Sequence, residues 1–109
     1  MANLEATKRV PVLDVHGAFI RRANLSGANL RGANLSGADS SDASFQNADF
    51  QDAQLKGTIL RGADLTGARN LTMKQLASAI IDERTRLPTY IDRQQLLHEA
   101  SRQTEGAHS

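Results

Sequence analysis

A period of five residues constrains this chain more than any other feature. From Ala23 it reads Ala-Asn-Leu-Ser-Gly, Ala-Asn-Leu-Arg-Gly, Ala-Asn-Leu-Ser-Gly, and the register runs on to Ala-Asp-Leu-Thr-Gly, ending at Gly67. Read backwards, Ala18-Phe-Ile-Arg-Arg and Leu13-Asp-Val-His-Gly keep the same register, so eleven units fill residues 13–67. Five matches neither the 3.6 of an α-helix nor the 2 of a simple strand. A helix is also excluded by glycine recurring every fifth residue, each costing about 1 kcal/mol in a helix interior.

In an extended segment, residues two apart face the same side. The first position (Ala in nine of eleven units) and the third (apolar in ten of eleven) therefore point together, and that side must be the core. The second position, usually Asn or Asp, points outward. The fourth and fifth positions are turn chemistry, with glycine supplying backbone angles that other residues resist. Short inward-facing edges joined by corners must coil, and four edges close a square of twenty residues. At the ordinary strand spacing of about 4.8 Å, eleven edges stack into just under three coils. Leu fills the centre and Ala lets the walls approach. Phe45, between Leu25 and Leu65, and Phe50, above Leu30, are core residues on this scheme.

The repeat over 13–67 resembles the pentapeptide-repeat family, whose signature is Ala, then Asp or Asn, then Leu, then two variable residues. The resemblance implies an all-β solenoid, a right-handed quadrilateral β-helix. Some members of that family act as DNA mimics on DNA gyrase or topoisomerase. The likeness suggests that role only as an alternative here, because it calls for a long rod with strongly acidic faces. Residues 13–67 hold six Asp against five Lys or Arg, a net charge of −1.

A solenoid exposes apolar, unpaired ends that need caps. At the N-terminus, residues 1–12 form an arm in which Lys8-Arg-Val-Pro-Val can supply an edge strand, Pro11 discouraging further pairing. At the other end the register fails after Gly67. Thr72 followed three residues later by Gln75 signals a capping box, and Met73, Leu76, Ala77 and Ile80 fall at helical spacing. The spacing predicts a helix over 72–86, a second beginning near Asp92 and reaching about Ala100, and together a C-terminal helical cap over 68–100. Residues 101–109 read as a polar tail. Ile91, Leu96 and Leu97 exceed what one short helix needs and are candidate contacts for a homodimer. Asp82-Glu-Arg-Thr-Arg-Leu-Pro resembles extensions of bacterial pentapeptide-repeat proteins, which points to a bacterial origin.

Nothing in the pattern argues for catalysis, a cofactor or a metal site. There is no cysteine, and His16, His98 and His108 share no ligand spacing. The glycines are spaced as turns require and match no phosphate-binding loop. Charges of both signs, netting +1 over 109 residues, give no basic footprint for nucleic acid. No apolar run reaches the roughly 20 residues of a membrane span. The start, Met1-Ala-Asn-Leu-Glu, lacks a secretory pattern, so a cytoplasmic protein is expected.

The informative residues are those that break the repeat. Twenty-residue periodicity stacks 18–22, 38–42 and 58–62 on one face, whose second positions are Phe19, Asp39 and Ile59. Every other second position in 13–67 is Asn, Asp, Ser or Gln. The same face carries Arg21, Arg22 and Arg61 around Asp42, and Ser40 is the single polar residue at a third position, expected to bond a nearby backbone group. Two readings stand: the chain's own arm or C-terminal helices cover Phe19 and Ile59, or an apolar patch rimmed by arginine is the site of a protein partner. The second makes the chain a non-enzymatic protein-interaction or scaffolding module.

Overall fold

The computed structural model describes residues 13–99. Its backbone follows a twenty-residue register. Asp14 bridges Asn34 and Asn34 bridges Gln54, in parallel. Phe19, Asp39 and Ile59, then Asn24, Ser44 and Asp64, then Asn29, Asp49 and Arg69 form three further ladders of the same kind. Each rung is held from both sides: Leu35 N–H donates to the Gln54 carbonyl at 2.9 Å, and Gln54 N–H donates to the Ala33 carbonyl at 2.8 Å.

The corners explain the composition of the repeat. Ala38 N–H donates to the Leu35 carbonyl at 3.0 Å, closing a turn over Ser36 and Gly37, and Gly37 has φ of 69°. A positive φ at the third residue is the mark of a type II turn, which glycine enters without strain. Asn34 Oδ1 accepts the Ser36 N–H at 3.1 Å across the same corner. Asp14, Asn24, Asn29, Asp39, Asp49 and Asp64 repeat that bond at their own corners. Asn and Asp hold the second position because their oxygen sits at the right reach from the backbone to fasten the turn.

The first and third positions make the core. Ala33, Leu35, Ala38, Ala43, Phe45, Ala48, Phe50, Leu60, Ala63 and Leu65 are all buried. Phe45 and Phe50 meet with ring centroids 5.4 Å apart and tilted by 54°, an arrangement aromatic pairs favour. Ser40 is fully buried, and its hydroxyl donates to the Ile59 carbonyl at 2.8 Å. Thr58, standing where Ala is usual, donates to the Leu35 carbonyl at 2.6 Å. No buried side-chain nitrogen or oxygen among the described residues lacks a partner.

Beyond Gly67 the ladders outlast the sequence pattern. Helix α1 (Met73–Ser78) begins with the expected capping box: Gln75 N–H donates to Thr72 Oγ1 at 3.1 Å, and Thr72 N–H donates to Gln75 Oε1 at 2.8 Å. The helix is six residues long rather than running to residue 86. Ala79 turns extended, with φ −92° and ψ 171°, and Ile80 joins the ladder of Ile59. Ile80 N–H donates to the Thr58 carbonyl at 2.8 Å, and Leu60 N–H donates to the Ile80 carbonyl at 2.7 Å. The open edge over Thr58–Leu60 needs partners, and supplying them outweighs two more turns of helix. Arg86 likewise bridges Asp64, and Thr85, buried, donates to the Leu60 carbonyl at 2.7 Å.

Residues 93–99 form a second helix, α2. Asp92 Oδ1 accepts the Gln94 and Gln95 N–H groups at 2.9 and 3.3 Å, as an N-cap does. Leu71, Leu76, Ile91 and Leu96 enter the core cluster and close this end of the stack. At the opposite end Val15, Ile20 and Leu25 are only partly buried. The arm over 1–12, the last expected helical residue Ala100, and the tail over 101–109 lie outside the described residues.

Candidate functional site

The face singled out by its departures is a continuous ladder of four rungs: Phe19 bridges Asp39, Asp39 bridges Ile59, and Ile59 bridges Ile80. Backbone bonds fix the first rung, with Asp39 N–H donating to the Ala18 carbonyl and Ile20 N–H donating to the Asp39 carbonyl, both at 2.8 Å. On this rigid wall Phe19 is 86% exposed, more than any other large apolar residue described. Ile59 is half-buried and Ile80 is 37% exposed.

Phe19 and Ile59 cannot make the side-chain bond that fastens neighbouring corners, since neither carries an acceptor. Arg22, which closes the Phe19 corner, has φ of 62° where Gly17, Gly27 and Gly32 stand in corresponding corners. A left-handed residue with a side chain costs about 1–2 kcal/mol relative to glycine. The repeat 18–22 thus departs from the local optimum at two positions at once.

The polar groups of the face are ordered around Asp39. Its carboxylate accepts the Ser41 hydroxyl at 2.7 Å and the Ser41 N–H at 3.2 Å, and Arg21 Nε lies 3.8 Å away. Those two bonds from Ser41, then the charges of Arg21 and Arg61, hold its pKa below the usual value. One corner along, Asp42 (φ 59°) sits 3.7 Å from Arg84, which is also 3.6 Å from Asp82. The structure therefore brings Phe19, Arg21, Arg22, Asp39, Asp42, Ile59 and Arg61 onto one side and its edge.

It adds Ile80 and Arg84, which the repeat register misses. Ile80 follows Ile59 by 21 residues rather than 20, because the coil that contains α1 and its flanks is one residue longer than the regular coils. A β-branched pair, Ile80-Ile81, just after a capping-box helix was the available signal for a returning strand. The C-terminal helices do not lie over Phe19, and the N-terminal arm is outside the described residues.

The other candidates fall elsewhere. Ile91 (8% exposed) and Leu96 (1%) pack into the chain's own core, whereas Leu97, at 54%, faces outward. The first two therefore seat the C-terminal segment on the stack, and of the candidate dimer contacts only Leu97 is presented. His16 Nδ1 lies 2.6 Å from Asp14 Oδ1, a bond that raises the imidazole pKa and lowers that of the carboxylate. His98 stands apart, lining a shallow groove with Met73, Gln94 and Gln95. Among the described residues no group of three or more His, Asp or Glu could hold a metal ion, and no helix is long and apolar enough to cross a membrane.

Comparison with known proteins agrees with this geometry. The family model for pentapeptide repeats matches residues 23–62 in eight copies. A crystal structure of a pentapeptide repeat protein from the cyanobacterium Cyanothece 51142 is similar, with 31% identity and a TM-score of 0.62 over 71% of this chain. This chain spans 52% of that protein, about half its length. A pentapeptide repeat protein of the Arabidopsis thaliana thylakoid lumen matches at 20% identity and a TM-score of 0.34, over 79% of this chain and 70% of its own. No curated protein matches.

Proposed function

The chain belongs to the pentapeptide-repeat family, and on that footing we propose that it is a non-enzymatic interaction module that presents the Phe19–Ile80 face to a protein partner. Pentapeptide-repeat proteins are right-handed quadrilateral β-helices, generally structural or interaction modules. The observation that carries the reading is the repeat 18–22. It places an aromatic ring 86% in solvent on a flat, hydrogen-bonded wall, beside an arginine in a left-handed conformation. The forgone corner bond is worth about 0.5–1.5 kcal/mol, and Arg22 adds about 1–2 kcal/mol of backbone strain. Against a typical domain stability of about 5–15 kcal/mol, such a local concession points to function at that spot. Aromatic and arginine side chains are the usual anchors of interfaces.

A DNA mimic would need a run of unpaired carboxylates. On this face Asp39 is engaged by Ser41 and Arg21, and Asp42 by Arg84, so that alternative has no observation in its favour. The test is differential recovery. Tagged wild-type protein and the Phe19→Asp/Ile59→Asp variant are purified gently from the native host, and co-purifying proteins are quantified by mass spectrometry. A protein recovered with the wild type and lost with a variant that keeps its melting transition supports the reading. Equal recovery with both rejects it.

A further inference from the structure

We propose that the Phe19 face takes a short peptide segment in which an apolar side chain is flanked by carboxylates. This rests on the reading of that face as a partner site and specifies the partner's chemistry.

Size comes first. Four rungs at the ordinary strand spacing span about 14 Å, a face on the order of 200 Å². A stable pair of globular domains buries about 800 Å² on each side. The patch from Phe19 to Ile80 is too small to hold a folded domain by itself, but it matches a few residues of extended or helical chain. The partner's apolar side chain would lie on the Phe19 ring, with Ile59 and Ile80 continuing the floor.

Charge then selects the segment. Arg21 and Arg22 follow Phe19 at the first rung of the ladder, and Arg61 follows Ile59 two rungs on. The one carboxylate among them, Asp39, already accepts two bonds from Ser41. Arg21 reaches it only at 3.8 Å and keeps 61% of its side chain in solvent. Arg22 makes no ion pair among the described residues, although it occupies a corner where glycine would be unstrained. Guanidinium groups offer paired donors that fit a carboxylate, and beside an apolar contact such bonds are partly shielded from water.

Two other occupants fit less well. A phosphate backbone carries a charge at every step and would have to run past Asp39, Asp42 and Asp82, whereas one or two peptide carboxylates can stay at the Arg21–Arg22 end. A second copy docked antiparallel would set Asp39 against Ile59, desolvating a carboxylate on an apolar surface.

The experiment pans a random peptide library, displayed on phage, against the immobilised full chain. Binding of the enriched peptides is then measured to the wild type and to Phe19→Asn, Arg22→Gly and Arg21→Gln. Arg22→Gly removes a cation while relieving backbone strain, so its melting temperature is expected to rise as binding falls. The expected result is peptides pairing an apolar residue with Asp or Glu, weakened about tenfold or more by Phe19→Asn and by each arginine substitution. Peptides that need Phe19 but neither arginine overturn the acidic specificity and leave the partner face standing. Peptides indifferent to Phe19→Asn, or no enrichment at all, overturn both. Phe19-dependent binding of single-stranded oligodeoxythymidine tighter than any peptide overturns the choice of a peptide partner.

Discussion

Asn47 Oδ1 fills the space that a Cβ on Gly67 would need. Both residues sit at the fifth position of their repeats, one coil apart, with φ of 62° and 72°. The corners of the solenoid thus form a column in which a side chain on one coil is accommodated by glycine on the next. Asp42 and Gly62 repeat the relationship at the corner beside the Phe19 face. A Cβ on Gly27, by contrast, would meet nothing within 4 Å.

Gly67→Ala is therefore expected to cost more than Gly27→Ala. Both incur the left-handed strain of about 1–2 kcal/mol, but only the first displaces Asn47. In an Asn47→Gly background the difference should vanish. Urea unfolding of the two single variants and the double variant checks this.

Phe19→Asn should raise stability by about 0.5–1.5 kcal/mol, because it supplies the missing acceptor for the Arg21 N–H. If another segment buried Phe19, losing the ring would instead cost about 3–5 kcal/mol. The sign of the change in thermal unfolding decides.

Thr85→Val should lower stability by about 1–3 kcal/mol, since the buried hydroxyl both donates to the Leu60 carbonyl at 2.7 Å and accepts the Asp82 N–H at 3.0 Å, and valine does neither. Ser40→Ala should cost less, because its hydroxyl makes one bond, to an Ile59 carbonyl that still accepts the Ser40 N–H at 2.9 Å, and no backbone N–H is left without its acceptor. Denaturation midpoints of the two variants give the order.

Acid should destabilise the fold. Hydrogen bonds depress the pKa of Asp14 (from His16), Asp39 (from Ser41) and Asp49 (from Asn70). At Asp64 and Asp82 burial works upward, yet the donated bonds outweigh it. A carboxylate depressed in the folded state contributes stability above its unfolded pKa and loses it as pH falls through the folded one. Melting temperature should therefore drop between about pH 5 and pH 2. Asp14→Asn/Asp64→Asn, which keeps both corner acceptors but cannot titrate, should flatten that slope.

The coil was legible in the sequence because glycine, alanine and leucine recur at fixed offsets, and each offset has one steric consequence. Ser40 was legible too, since a hydroxyl in a coiled core has a carbonyl within reach on the next turn. The fastening role of Asn and Asp was not. Pattern alone marks them as outward-facing, and the bond from Asn34 to Ser36 emerges only with the corner's backbone angles. The course after Gly67 was misjudged because Met73, Leu76 and Ile80 fit a helical face. The ladder edge over Thr58–Leu60, a tertiary partner invisible to local spacing, claims Ile80 instead. That same displacement kept Ile80 off the candidate face.

The central claim, that Phe19 is a free anchor for a protein partner, is tested most directly by recovery of interacting proteins with wild type and Phe19→Asn at equal folded concentration. The more stable variant is expected to bind less, so a partner abundant with the wild type falls to background. A partner retained in full by Phe19→Asn would contradict the claim.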